Sequence, residues 1–315
     1  MISQEQIRTL VFKAGYAGDY EIHMMPGGGS DRIFYRVQFG NFSLIIMNGT
    51  GHGADLRAWT IIGKFLRDIG IAVPQIYYVD YEIPAIVVED LGKMSPPKIE
   101  DYPIIACQLA KLQSDASAHL NLCPLILERP FSYDEFIGEA MYFYNEYLIG
   151  IKNVSHRISQ HFFSQVGCFA HVLSELPRFF CHRDFQSSNL IIQNGNMRII
   201  DFQSAKYGPL HYDLASLLWD SRVDLDDDVR NNLCHKYIET ATSFCLPIEA
   251  NFVNNLHIAG ISRIMQSLGA YSYLANKKGK PEFNNLIPVA ESHLLSLIGE
   301  FPKLEFLTEY ILMER

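Results

Sequence analysis

Cys181 to Gln203 reads CHRDFQSSNLIIQNGNMRIIDFQ, and the spacing within it decides the fold. Two short apolar runs, Leu190 to Ile192 and Met197 to Ile200, flank Asn194-Gly195, a dipeptide suited to a tight turn, so the stretch reads as strand, turn and strand. Ahead of it a polar loop carries His182, Arg183, Asp184 and, five residues further on, Asn189. Asp201 follows the second run. Phosphoryl transfer asks little more of a protein than a carboxylate that orients the attacking hydroxyl, hard oxygen ligands for magnesium, and donors that hold the triphosphate. In this reading Asp184 is the catalytic carboxylate, Asn189 and Asp201 are metal ligands, and His182 and Arg183 shape the loop. A chance His-Arg-Asp tripeptide on a surface loop would not bring Asn189, the turn and Asp201 with it at these intervals.

Upstream, PGGGSDRIFYRV (Pro26 to Val37) places three glycines just before a strand. Backbone N–H groups there can approach phosphates closely, and Ser30 and Arg32 add donors, so Gly28, Gly29, Ser30 and Arg32 are candidate nucleotide contacts. A glycine cluster before a strand is also an ordinary turn, and only the catalytic segment downstream favours the nucleotide. RIFYRVQF and FSLIIM form a hairpin about Gly40-Asn41. The phosphate-contacting lysine expected on the second of these strands is absent and Met47 stands in its place. Arg32, Arg57 or Lys64 would then substitute, unless the chain binds nucleotide without turning it over.

Gln4 to Lys13 and Ala54 to Asp68 read as helices, the second with Leu56, Trp59, Ile62 and Leu66 on one face, and two further strands lie near QIYYV and AIVVE. From Glu89 the sequence turns polar and proline-containing, then becomes mostly helical, with helices expected at 104–114, 133–149, 156–176, 212–220, 226–241, 249–276 and 284–300. This pattern predicts an α+β, bilobal, protein-kinase-like fold: a small β-rich lobe over residues 1–90 and a larger, mostly α-helical lobe over 91–315.

The chain of 315 residues is 48% hydrophobic with a net charge of -9, enough apolar surface to fold and no general attraction to nucleic acid or anionic lipid. It shows neither a signal peptide nor a membrane span, and its six cysteines lack a CxxC pair, so free, reduced, mostly buried thiols in a cytoplasmic protein are expected, with no protein partner implied.

Other residues carry competing readings. Glu139, in the aromatic-rich YDEFIGEAMYFYNEYL, is either a solvated or salt-bridged acid or a cleft residue that accepts hydrogen bonds from a substrate. Arg263 and Gln266 share a helix face and would line an acceptor site or lie on the surface. Tyr207-Gly208-Pro209 reads as a plain turn. His211 has no ligand-like spacing, and the acids at 224 and 226–228 lack the pattern of a calcium loop and read instead as the start of a helix.

HRDFQSSNLII followed by IDFQSAKYGPLHYDLASLLWD resembles the aminoglycoside phosphotransferase and choline kinase superfamily, with Asp-Phe-Gln where protein kinases have Asp-Phe-Gly. That resemblance implies a loop-bracing role for Asp213. Within the superfamily the chain is similar to bacterial anomeric kinases of N-acetylmuramate and N-acetylglucosamine. The likeness is carried by SDRIFYRV with methionine at the lysine strand, VVEDLG at the hinge, the segment after Asp201, and RIMQSLGAYSYLANKKGKP. It implies ATP and Mg2+ as cofactors, Glu89 as a nucleotide contact, Glu139, Arg263 and Gln266 as substrate contacts, and a small-molecule sugar substrate phosphorylated at the C1 hydroxyl. Another small-molecule kinase of the superfamily, or a nucleotide-binding pseudokinase, is the alternative.

Overall fold

The computed structural model describes residues 2–25, 32–49, 53–92, 96–193 and 195–313. The chain divides into two compact units, the first made of Met1–Pro96, His119–Ile126 and Ser188–Ala205, the second of Pro97–Ala118, Leu127–Ser187 and Lys206–Arg315.

In the first unit, α1 (Gln4–Lys13) starts on a capping box in which the Ser3 hydroxyl accepts the Gln6 N–H and the Gln6 side chain accepts the Ser3 N–H. Its buried Ile7, Leu10 and Val11 pack on one face of a sheet, against Tyr35, Val37, Leu44, Ile46 and Val87. That sheet contains β1 (Glu21–Met25), β2 (Ile33–Phe39), β3 (Phe42–Asn48), β4 (Ile76–Asp80) and β5 (Ala85–Glu89), in the order β1-β2-β3-β5-β4. Every neighbouring pair is antiparallel. Strand β1 has no counterpart in the sequence reading, because EIHMM is mostly exposed and shows no apolar alternation. Met47 pairs with Phe34 on one side and Ile86 on the other. Directly paired residues share a face, so these side chains lie opposite the α1 face. Helix α2 spans Gly53–Asp68.

The hairpin foreseen downstream forms as β7 (Leu190–Gln193) and β8 (Asn196–Ile199), with Gln193 paired to Asn196 where the chain turns; Asn194 lies outside the described residues. Gly195 takes the positive φ of 75° that such a turn demands. Residues 188–205 follow the proposed lobe boundary by some hundred positions, yet they group with the first unit. Arg198 forms a bidentate pair with Glu89 at 2.8 and 2.6 Å, and Ile199 N–H donates to Ala72 O at 3.0 Å. Phe202 packs against Trp59 of α2, with ring centroids 4.8 Å apart and tilted by 39°.

The second unit is helical, with α3 (Tyr102–Ala118), α5 (Tyr133–Phe143), α6 (Ser159–Glu175), α7 (Leu210–Leu218), α8 (Asp227–Ser243), α9 (Phe252–Asn276), α10 (Ile287–Ile298) and α11 (Leu307–Leu312); all but the last residue of the short α4 (Pro124–Leu127) belong to the first unit. Helix α5 runs on into a π-helical stretch at Tyr144–Ile149. Helix α7 is buried along its whole length. Asp226 caps α8 by accepting the Val229 N–H at 2.7 Å, so the acidic run starts a helix as its sequence suggests. The plain-turn reading gives way to strand at Tyr207 and Gly208, since β9 (Lys206–Gly208) pairs with β6 (Phe179–Cys181), while Pro209 leads into α7 as its N-cap residue. Runs of three residues carry too little periodicity to announce themselves. All six cysteines are free, Cys123, Cys181 and Cys234 buried and Cys168 and Cys245 exposed. Among the described residues no helix is long and apolar enough to cross a membrane.

Candidate active site

Strand β6 ends at Cys181 and releases the loop into a brace made by α7. Both carboxylate oxygens of the fully buried Asp213 accept backbone N–H groups, His182 at 2.7 Å and Arg183 at 2.8 Å. These bonds hold Arg183 in the left-handed region, at φ 74°, a conformation that costs a β-carbon-bearing residue free energy unless its surroundings impose it. His182, buried, accepts the Asp184 N–H on Nδ1 at 3.3 Å. At the far end Asp220 accepts both the N–H and the hydroxyl of Ser187, at 2.8 and 2.5 Å. The loop is thus tied at both ends by buried carboxylates.

Asp184 is held from two sides. Arg263 donates from Nη2 to its Oδ1 at 2.6 Å, and Gln186 donates from Nε2 to its Oδ2 at 3.2 Å. Arg263 is buried; its Nε donates to the Ser216 hydroxyl at 2.9 Å and its Nη1 to Gln266 Oε1. Burial opposes the charge of this guanidinium, but Asp184 foremost outweighs it, so Arg263 holds its proton more firmly than usual. Arg222 donates to Gln186 Oε1 at 2.9 Å and stacks over the Tyr271 ring.

Beside this cluster lies a cavity of about 620 Å³ lined by Ser132, Asp134, Glu135, Glu139, Tyr142, Arg183 and Gln266, among others. Glu139 is not solvated. It is buried, takes the Arg183 guanidinium on Oε1 at 3.2 Å and accepts the Tyr212 hydroxyl on Oε2 at 2.8 Å. Burial pushes its carboxyl up, against the pull of Arg183 and Tyr212. Burial also pushes the Tyr142 hydroxyl up to about 12, which keeps it a donor at neutral pH. Gln266 lines the cavity as the sequence suggests, whereas Arg263 lies behind it with its donors on protein acceptors. The cavity's acids come from the start of α5, ahead of the loop.

In the first unit the β7/β8 hairpin brings Asn189 and Asp201 to one end. Leu190 pairs with Ile199, and Ile200 N–H donates to Asn189 O at 3.0 Å, one residue short of Asp201. Asp201 is itself left-handed, at φ 63°, and its half-exposed carboxylate accepts from Gln203 Nε2 at 2.9 Å and from Arg32 Nη1 at 3.0 Å. Arg32 also donates from Nη2 to Asp55 of α2 at 3.0 Å. Magnesium accepts two such protein oxygens when phosphates and water complete its six, so this hairpin end fits the ion. Glu89 is committed: its carboxylate is on Arg198 and its N–H on Gln75 O. Gly28, Gly29 and Ser30 lie outside the described residues.

Sequence reasoning missed Gln186, Ser216, Asp220, Arg222 and Asp55. Only Asp55 left a usable trace, as an acid in the first turn of a helix following a strand that lacks its lysine.

A β-sheet unit whose hairpin end offers two oxygen donors, and a helical unit with a braced His-Arg-Asp loop, supply the parts that a phosphotransferase needs. The family model described as the phosphotransferase enzyme family matches residues 25–247, and the chain belongs to that family. It is a kinase acting on small molecules. A relative from Pseudomonas aeruginosa, an N-acetylmuramate/N-acetylglucosamine kinase, is 26% identical over 292 residues, covering 90% of this chain and 85% of its own length. Among solved structures, a choline kinase from Streptococcus pneumoniae superposes with a TM-score of 0.66 at 16% identity, covering 94% of this chain and all of its own. An ADP-bound aminoglycoside phosphotransferase gives 0.63 at 12% identity, covering 92% and 97%.

Proposed function

We propose that this chain transfers phosphate from ATP, with magnesium, to the anomeric hydroxyl of N-acetylmuramate or N-acetylglucosamine. The observation that carries the reading is the placement of Asp184, gripped by Arg263, whose other amino group holds Gln266 in the wall of a sugar-sized cavity. The named activity of the relatives supplies the acceptor, and the ADP-bound neighbour supports an adenine nucleotide.

Asp184 accepts a hydrogen bond from the C1 hydroxyl, whose oxygen attacks the γ-phosphorus as the bond to ADP breaks. The hydroxyl proton passes late to the carboxylate. A hemiacetal hydroxyl is more acidic than an ordinary alcohol, so orientation does most of the work. Glu139, Gln266 and Tyr142 offer acceptors and donors for the ring hydroxyls and the acetamido group. Asn189 and Asp201 would hold the magnesium ion, which neutralises charge on the triphosphate. A cationic acceptor is the second reading, favoured by Asp134, Glu135 and Glu139 in the cavity wall.

One assay tests both. Purified protein is incubated with magnesium-ATP and each of the two sugars, an aminoglycoside, or choline, with Asp184→Ala as control. A sugar 1-phosphate in the phosphorus NMR spectrum, absent from the control, is expected. Turnover of the cationic acceptors without sugar turnover would replace the first reading with the second.

A further inference from the structure

The strand position that ordinarily supplies a phosphate-binding lysine holds Met47, 4% exposed and enclosed by its neighbours Phe34 and Ile86. A methionine there can donate nothing to a phosphate. The cation that does reach the site enters one strand over. Ile33 pairs with Asn48 and Phe34 with Met47, and Arg32 immediately precedes Ile33, next to the end of β3 that follows Met47.

We propose that Arg32 takes over the triphosphate grip of the missing lysine, and that Asp55 is its positioning carboxylate. This rests on the kinase reading above and deepens it.

Three observations converge. Arg32 is 9% exposed, too enclosed to be a casual surface cation. Its two terminal nitrogens are divided between Asp201 and Asp55, each at 3.0 Å. Asp55 belongs to the first turn of α2, so a cation from the residue that leads into β2 meets a helix-borne acid beside the metal-binding carboxylate. That is the arrangement a strand lysine and its helix glutamate make in protein kinases, rebuilt here from the residue ahead of a neighbouring strand and a shorter acid. The planar fork suits the change: one nitrogen stays on Asp55 while the other is offered to a phosphate oxygen once magnesium draws on the charge of Asp201. The other two cations considered are placed differently. Lys64 is exposed and pairs with Asp68, and Arg57 is exposed on α2.

The test measures binding of magnesium-ATP calorimetrically with no acceptor present, then steady-state kinetics at saturating acceptor. Arg32→Met should weaken ATP binding at least tenfold and lower kcat about a hundredfold while leaving the acceptor KM within twofold. Arg32→Lys should recover part of both losses. Asp55→Asn should raise the ATP KM several-fold and Asp55→Glu should restore it, a rescue that a merely structural role would not give. Arg57→Met serves as the control and should behave as wild type. Circular dichroism and melting of each variant establish that it is folded, and Arg32→Lys carries the test if Arg32→Met is not. Wild-type ATP affinity in folded Arg32→Met, or in Arg32→Lys and Asp55→Asn together, overturns the inference while the kinase reading stands. A wild-type protein that binds no nucleotide overturns both.

Discussion

Arg263 of α9 grips Asp184 in the His-Arg-Asp loop of the second unit, with Nη2 2.6 Å from Oδ1. The guanidinium is almost fully enclosed and the carboxylate about a third exposed, so the pair is shielded on the arginine side and partly open at the carboxylate. Bonds to Ser216 and Gln266 fix the plane of the fork, and the fork fixes the carboxylate. Arg263→Lys keeps the charge and loses the fork, and should lower kcat by about ten- to a hundredfold with little change in KM. Asp184→Asn should lower kcat by roughly a thousandfold, the scale of a lost general base. Steady-state kinetics with both substrates saturating checks each value.

Asp213 serves the loop by a different route, through the backbone. Its two oxygens accept the N–H groups of His182 and Arg183, at 2.7 and 2.8 Å. Asparagine presents one oxygen and one NH2, so Asp213→Asn leaves a buried N–H facing another donor. The expected cost is about 1 to 3 kcal/mol. Activity should fall further than that lost stability explains, because Arg183 loses the bond that stabilises its left-handed backbone. Chemical denaturation and kcat on the same preparation separate the two effects.

The elements with strong periodicity were legible in the sequence. Gln4–Lys13, Ala85–Glu89 and the β7/β8 hairpin fall where their side-chain patterns put them. Asp184, Asn189 and Asp201 stood out because the chemistry needs them at set intervals along one segment. What lay hidden was contact between residues distant in sequence. Nothing local to Arg263 says that its guanidinium reaches Asp184, 79 positions away, or that Arg32 reaches Asp201, 169 positions away. Tertiary packing decides those pairs, and a period of 3.6 or 2 reports only which face a side chain occupies.

His293 gives the fold an acid sensitivity. It is buried on α10, with Arg230 Nη2 2.8 Å from its Nε2 and Asp224 at 3.8 Å. Burial first and Arg230 second lower its pKa from the ordinary value of 6.5, and Asp224 offsets them only partly. The unfolded chain therefore binds the proton more readily than the folded one. Stability is complete above about pH 6.5 and falls as the pH drops toward the lowered folded value. His293→Gln should flatten that slope of melting temperature between pH 7 and 5, and wild type should show it.

Gly63 permits α2 to lie against the residue that follows Asp201. A β-carbon at Gly63 would stand 3.0 Å from two ring atoms of Phe202 and 3.3 Å from Ile76 Cδ1, and Phe202 already packs against Trp59. The ring has little room to retreat. Gly63→Ala should cost about 1 to 3 kcal/mol by overpacking. Because Phe202 is bonded to Asp201, the magnesium concentration giving half-maximal rate should rise as well. Gly299→Ala, whose β-carbon would meet only ordinary contacts at 3.6 and 3.7 Å, is the control and should change neither.

The cavity wall bears on which acceptor is taken. Asp134, Glu135 and Glu139 line it with Arg183 as their opposing cation, and Arg183 is already paired with Glu139, as Glu135 is with Lys206 at 2.8 Å. The residual field is negative. N-acetylmuramate brings a carboxylate that N-acetylglucosamine lacks, so the wall should penalise the former through repulsion that no lining cation is free to relieve. Replacing Asp134 and Glu135 by Asn and Gln should raise kcat/KM for N-acetylmuramate by about tenfold at low ionic strength and leave that for N-acetylglucosamine within twofold. Added salt should narrow the gap between the sugars in wild type and hardly alter it in the double variant. Equal response of both sugars to the substitutions would mean that the acids act by hydrogen bonding to shared hydroxyls and not by charge.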